Sequence, residues 1–329
     1  MSRAVDSSAL KPLPYWQDLQ QVADGTLFFE PAGVHFVRVE KTGNRVDVIL
    51  LDQTTLTSQL VQSTIDVSSP ERLAADSTQA MCLPLTWTPN PQHIYLAGLG
   101  GGSLAYGLHR YLPTTYLDCL EIEPVLVQIA QDLLGLKSDQ YLQIFVEDGR
   151  QYLTHRHPAH LYDLMVIDVF LGNGYTPYAM ATQAFFELCQ KHLLPQGTLV
   201  INFLAADPWY AHKVHTLRQV FPHLACCALP QGNQVVFARS MPIPVQGADR
   251  QAESWLHQTV KPWLGCLQPV PICHHLGDAD VLQDASPPSD YFNQLPAFNT
   301  LFAKVASEAP CPCGSGQPYR LCHAARESL

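Results

Sequence analysis

Apolar and polar positions change rhythm twice along this chain. Between residues 27 and 51 apolar residues recur at nearly every second place through LFFE, VHFVRVE and RVDVILL, the period of strands that bury one face. The segment KTGN between the last two runs carries Gly43 and Asn44, so a β-hairpin is expected there. The polar stretch VQSTIDVSSPERL reads as the end of a small N-terminal β-hairpin domain over residues 1–80.

From His93 the rhythm becomes one of apolar runs alternating with helical segments. HIYLA, TYLDCLEI, LQIFV, YDLMVID and GTLVINFL read as strands. Between and after them SLAYGLHRYL, PVLVQIAQDLLG, residues 150–157, ATQAFFELCQKHLL and residues 208–220 read as helices. Five βα units predict an α/β fold, a Rossmann-like doubly wound sheet over residues 81–240. HLACCALP, QGNQ and VVFARS then read as a terminal hairpin, so the last strand should run antiparallel. Ordinary dinucleotide-binding domains lack that hairpin, and S-adenosylmethionine (AdoMet) enzymes have it. A helical and irregular extension over 241–305 follows, with a helix at QAESWLHQTVKPWL and another ending near Ala306.

Composition narrows the class. The 329 residues are 47% hydrophobic and 15% charged, a globular balance. A net charge of -10 argues against a protein built mainly to grip a phosphate backbone. No run approaches the ~18 apolar residues that cross a bilayer. Together with an N-terminus that lacks an apolar signal core, this predicts a soluble, cytoplasmic protein with no membrane contact. Seven of the ten cysteines are scattered and read as reduced thiols.

The candidate chemistry starts at AGLGGGS, where Gly98, Gly100, Gly101 and Gly102 lie between a strand and a helix. Glycines there let the backbone approach a ligand, and the helix N-terminus offers N–H groups. Glu121 and Glu123 in LEIEP, Asp148 in VEDG and Asp168 in VID close the next strands. In an open α/β sheet these acids share one crevice with the loop. Glu121, about 20 residues past the loop, is placed for ribose hydroxyls and Asp148 for an adenine amino group. Any one of these acids could be a solvated strand end, and NAD could use the loop with Glu121 alone. His93, His109, His155, His157, His212 and Lys213 read as surface or helix-end residues.

Over residues 30 to 295 the chain resembles the spermidine synthase family, the polyamine aminopropyltransferases. The resemblance is carried by the hairpin start, Gln62 and Ser63, LPL at 83–85, Asn90 and Pro91, GLGGGS, EIEP, EDGR, YDLMVID and VLQDASP. It implies a small β domain that assists dimerisation, hence a homodimer, and a site for decarboxylated AdoMet. Glu121 would then hold the ribose, Asp148 the adenine, and Asp168 would accept the proton of the attacking amine. Spermidine-forming members carry an acid where this chain has Gly101, Tyr-Gln at Asp76 and Ser77, and a second acid at Leu171. The absence of the loop acid is expected to leave loop N–H groups for the carboxylate of intact AdoMet, with Asp76 a candidate replacement charge.

The last cysteines crowd into CPCGSGQPYRLCH. Cys311, Cys313, Cys322 and His323 suit a closed tetrahedral zinc site, which would supply the folding energy of so short a segment. The segment resembles, over residues 309 to 323, the SEC-C motif, the zinc knuckle at the tail of the SecA translocation ATPase, and implies a knuckle domain over 306–329 here. The resemblance implies docking on a protein or ribosome, with Arg320 and Arg326 beside it. Three functions compete: an aminopropyltransferase-like enzyme of unknown acceptor, an AdoMet-dependent methyltransferase, and a non-catalytic nucleoside-binding adaptor.

Overall fold

The computed structural model describes residues 13–32, 35–52, 59–171, 175–244, 255–270, 279–287 and position 318. A short helix, α1 (Trp16–Leu19), leads into strands β1 (Gly25–Ala32), β2 (His35–Thr42), β3 (Arg45–Asp52) and β4 (Gln59–Asp66). They form one antiparallel sheet in the order β1-β2-β3-β4. Thr42 pairs with Arg45, so Gly43, at φ +58°, and Asn44 make a two-residue turn. The first six residues of the stretch read as a polar boundary, VQSTID, belong to β4, and turns follow it over 67–72. Ser63 and Ile65 are buried opposite Val48 and Val46, so after a register shift that leaves Val61 exposed the strand alternates, with a small polar residue at one inward place.

The second sheet holds β5 (His93–Ala97), β6 (Tyr116–Glu121), β7 (Leu142–Val146), β8 (Tyr162–Ile167), β9 (Leu193–Leu204), β10 (His223–Ala228), β11 (Asn233–Arg239) and β12 (Leu267–Pro269). Its order is β12-β10-β11-β9-β8-β5-β6-β7. Every pairing from β7 across to β9 is parallel, and β11 enters antiparallel between β9 and β10. This is the expected doubly wound sheet with a terminal hairpin. The chain's alternation sorts its core: Ile94, Leu96, Leu164 and Val166 face one hydrophobic cluster, and Tyr95, Ala97, Met165 and Ile167 face the other. Strands buried on both faces read as continuous apolar runs for this reason.

On the first face lie α3 (Ser103–Tyr111), α4 (Pro124–Leu134) and the N-terminal sheet; on the second lie α5 (Gly149–His155), α6 (Gln183–Lys191) and α7 (Tyr210–Val220). The extension is packed on the body. α2 (Asp76–Met81) receives it: the Trp263 indole donates to Gln79 Oε1 at 3.0 Å, and Trp255, at the start of α8 (Trp255–Val260), donates to the Glu71 carbonyl at 2.7 Å. β12 pairs with β10 at the sheet edge, an addition that its Pro-rich surroundings conceal. The helix expected near Ala306 and the knuckle residues Cys311, Cys313, Cys322 and His323 lie outside the described residues. Among the described residues no helix is long and apolar enough to cross a membrane.

Candidate functional site

Strand ends create the site. Asp168 N–H donates to the Ala97 carbonyl at 2.8 Å, Gly98 N–H to the Leu120 carbonyl at 2.9 Å and Glu147 N–H to the Glu121 carbonyl at 3.0 Å. The carboxyl ends of β8, β5, β6 and β7 are thus tied into one row carrying Asp168, the glycine loop, Glu121 and Asp148. Gly98 sits in the row at φ +92°, and a Cβ there would fall 2.2 Å from the Asp168 carbonyl oxygen. No other residue fits this closely against β8.

Gly101 has a different reason to be glycine. A Cβ there would meet Ser63 Cβ at 2.8 Å and Val48 Cγ2 at 2.9 Å, so the loop rests on the N-terminal sheet. Ser63 Oγ and Ser103 Oγ, 3.1 Å apart and buried, bond the sheet to the start of α3 beside it.

Glu121 is buried, and its carboxylate faces the loop backbone. Oε2 accepts from Leu99 N–H at 3.0 Å and Gly100 N–H at 3.2 Å, and Oε1 from Glu123 N–H at 3.0 Å. Burial raises its pKa against these opposing N–H bonds. The loop amides expected to await a ligand carboxylate are therefore held by one of the protein's own. Glu123 caps α4, accepting from Val125 N–H at 3.5 Å, and burial pushes its pKa up to about 7. Asp148 caps α5 through Gln151 N–H at 2.8 Å, and burial raises its pKa as well. Between the two glutamates, Ile122 is 52% exposed, an apolar surface at the mouth of the crevice.

Asp168 is half-buried, and burial raises its pKa to about 6 against one hydrogen bond. That bond comes from Asn202 Nδ2 at 2.9 Å, and Asn202 Oδ1 in turn accepts from Asn233 Nδ2 at 3.0 Å. Neither asparagine stood out in the sequence. The available signal was an amide inside the apolar strand GTLVINFL, a local inconsistency of the kind that marks function.

Leu171 is half-buried among the apolar residues of the α5–α7 side, and its N–H donates to the Tyr175 carbonyl at 2.9 Å. Asp76 opens α2 and makes no hydrogen bond or ion pair with Asp168, Asn202 or Leu171. The expectation that Lys213 is solvated is corrected: it is fully buried and ion-paired with Asp207, and its Nζ also donates to the Thr176 carbonyl at 3.3 Å. His212 is partly exposed, and its Nδ1 accepts from Asp280 N–H at 2.9 Å. VLQDASP is a strap along the second helix layer. Leu282 N–H donates to Thr216 Oγ1 at 2.9 Å, its carbonyl accepts from Gln183 N–H at 2.9 Å, and Asp284 holds Arg150 in a bidentate pair and Thr182 Oγ1 at 2.6 Å.

The fold is a Rossmann-like domain of the methyltransferase and spermidine synthase type. Among solved structures it is similar to a probable spermidine synthase from Corynebacterium glutamicum, with a TM-score of 0.63, 17% identity and coverage of 79% of this chain and 97% of that one. A spermidine synthase bound to the transition-state analogue AdoDATO gives a TM-score of 0.57 at 16% identity, over 82% and 96% of the two chains. In sequence it is 31% identical over 186 residues to the polyamine aminopropyltransferase of Chromobacterium violaceum, covering 56% of this chain and 70% of that protein. The Vibrio vulnificus enzyme of the same name is 30% identical over 182 residues, 54% of this chain, which spans 60% of that relative's length. The chain belongs to the polyamine aminopropyltransferase family. A human eEF1A lysine and N-terminal methyltransferase is also similar, at 26% identity over 52% of this chain and 27% of its own. Residues 309–325 match the SEC-C motif.

Proposed function

We propose that this protein is a transferase that binds an adenosyl sulfonium, AdoMet or its decarboxylated form, and passes a carbon group to an amine. The observation that carries the proposal is Asp168, whose Oδ1 is fixed by Asn202 while Oδ2 takes no hydrogen bond from any described residue, immediately beside Gly98. Glu121, Glu123 and Asp148, raised in pKa by burial, favour a cationic ligand such as a sulfonium. Ile122 offers a purine an apolar face, and Asp148 stands at the end of the neighbouring strand for the adenine amino group. Glu121 shapes the loop and would trade a backbone N–H for a ribose hydroxyl when the nucleoside arrives.

In the reaction the amine lone pair attacks the carbon on sulfur. The carbon–sulfur bond breaks, its electron pair neutralises the sulfonium, and the proton shed by the new ammonium passes to Asp168. Alignment and proton removal are the protein's main tasks, because the leaving group is already activated. Methyl transfer from intact AdoMet is the second reading, favoured by Gly101: no side chain at this place can reach the ligand, since its Cβ direction is filled by Ser63 and Val48.

Calorimetry with AdoMet, decarboxylated AdoMet, methylthioadenosine and NAD should show binding of the adenosyl-sulfur ligands and little of NAD. Asp168→Asn should bind them like the native protein and lose transfer at least ~100-fold. Native transfer should rise with pH through about 6 as the base ionises. Unchanged transfer in Asp168→Asn would remove the base role, and tight NAD binding would remove the sulfonium site.

For the tail, three thiolates and one imidazole within residues 311–323 match the donor set of structural zinc. We propose that Cys311, Cys313, Cys322 and His323 hold the ion and that the tail docks on a protein or ribosome. With four protein donors the zinc would be structural, outside the transfer chemistry.

A further inference from the structure

A lateral chain of amides crosses the sheet at the crevice. Ile167 pairs with Ile201 in the parallel register of β8 and β9, which brings the next residues, Asp168 and Asn202, side by side at the strand ends. Asn202 pairs with Val235 on β11, and Asn233 lies two residues away on the same face. Because β11 runs antiparallel, its first residue reaches the rim where the parallel strands finish. The hairpin thus delivers Asn233 to the site.

Hydrogen-bonding logic orients the whole chain. A carboxylate only accepts, so the Asn202 group facing Asp168 must be its amide N–H, and its carbonyl must face Asn233, which must donate. Both amides are locked with one polarity. Asn202 is 2% exposed, where an unpaired amide would carry a desolvation cost, so loss of Asn233 would loosen the link next to it.

We infer that Asn202 and Asn233 form a relay of positioning residues that holds Asp168 by Oδ1, directs Oδ2 to the acceptor and keeps the carboxylate ionised. This rests on the assignment of Asp168 as base. Burial and the Asn202 N–H are the two influences on the Asp168 carboxylate, and no charged side chain among the described residues acts on it. The relay is therefore its sole favourable partner there, and one hydrogen bond to a charged acceptor is worth about one pKa unit.

The test follows the Asp168 carboxyl carbon by ¹³C NMR titration in the full chain, assigned with Asp168→Asn. Asn202→Leu should move the titration upward by about one unit, and Asn233→Ala upward by less. Methylthioadenosine affinity, read by calorimetry on the same samples, should stay within about threefold. A merely structural pair of asparagines would lower the melting temperature and leave the titration in place, which would overturn the relay. If Asn202→Leu does not fold, Asn233→Ala decides alone, and an unmoved titration there overturns the relay equally. An Asp168→Asn variant with intact transfer would sink the base assignment while leaving a shifted titration as evidence for the relay.

Discussion

At the scale of single residues, the buried Glu121 carboxylate accepts from the N–H groups of Leu99 and Gly100, and Asp168 accepts from Asn202. Glu121, Asp148 and Asp168 stand out because each ends an apolar run, a place where burial gives way to a crevice. What Glu121 does with its carboxylate depends on where Leu99 and Gly100 point, which no local pattern encodes. Gly101 shows the same limit. As a missing acid it suggests altered selectivity, whereas its surroundings show a packing requirement, with Ser63 and Val48 filling the space a side chain would need. Gly101→Asp is therefore expected to destabilise the protein by about 2 to 4 kcal/mol, combining overpacking with a poorly solvated carboxylate. It should weaken AdoMet and decarboxylated AdoMet alike, as read by urea unfolding and calorimetry. A folded Gly101→Asp protein that gains about tenfold for the decarboxylated ligand alone would return selectivity to this position.

At the scale of elements, packing decides which polar side chains lie inside. β4 was concealed because Ser63 occupies an inward place, where the sequence pattern asks for an apolar residue and the glycine loop asks for a small one. Lys213 was concealed for the opposite reason. On α7 it reads as one more polar residue, yet Val214 and Leu217 show which side of that helix is inside, and Asp207 waits there. Burial lowers the pKa of Lys213, and Asp207 works against that shift. The pair ties α7 to Thr176, on the segment that follows Asp168 out of β8. Lys213→Met should cost about 3 to 5 kcal/mol by leaving Asp207 buried without its cation. Combining Lys213→Met with Asp207→Asn should recover much of that loss, because the second change removes the stranded charge. Denaturant titration of the single and double variants gives the comparison, and a single variant as stable as the native chain would show that water replaces the ammonium.

Across the whole molecule, two sheets of different character meet at one loop, and the tail stands apart from both in its chemistry. The parallel strands of the body were legible as continuous apolar runs, and so was the terminal hairpin that gives β11 its direction. The edge strand β12 and the strap over 279–287 were not, because their bonds go to residues far away in the chain, such as Ala225 and Cys227 on β10 and Arg150 on α5. The tail is the reverse case: the residues proposed as its ligands all lie within 311–323, so spacing alone proposes the site. On the proposed reading, a segment with so little apolar material would gain its fold from the metal. The body described here is held by its own core and strap. Zinc loss should therefore be a local event. Freshly purified protein is expected to carry about one zinc ion per chain, and Cys311→Ser or Cys322→Ser to lose it with the main melting transition displaced by less than about 2 °C. Metal analysis by plasma emission and calorimetric melting of the same samples read the two halves of this expectation. Zinc-free native protein would refute the site, and a large fall in the main transition on losing zinc would show that the knuckle is built into the body rather than tethered to it.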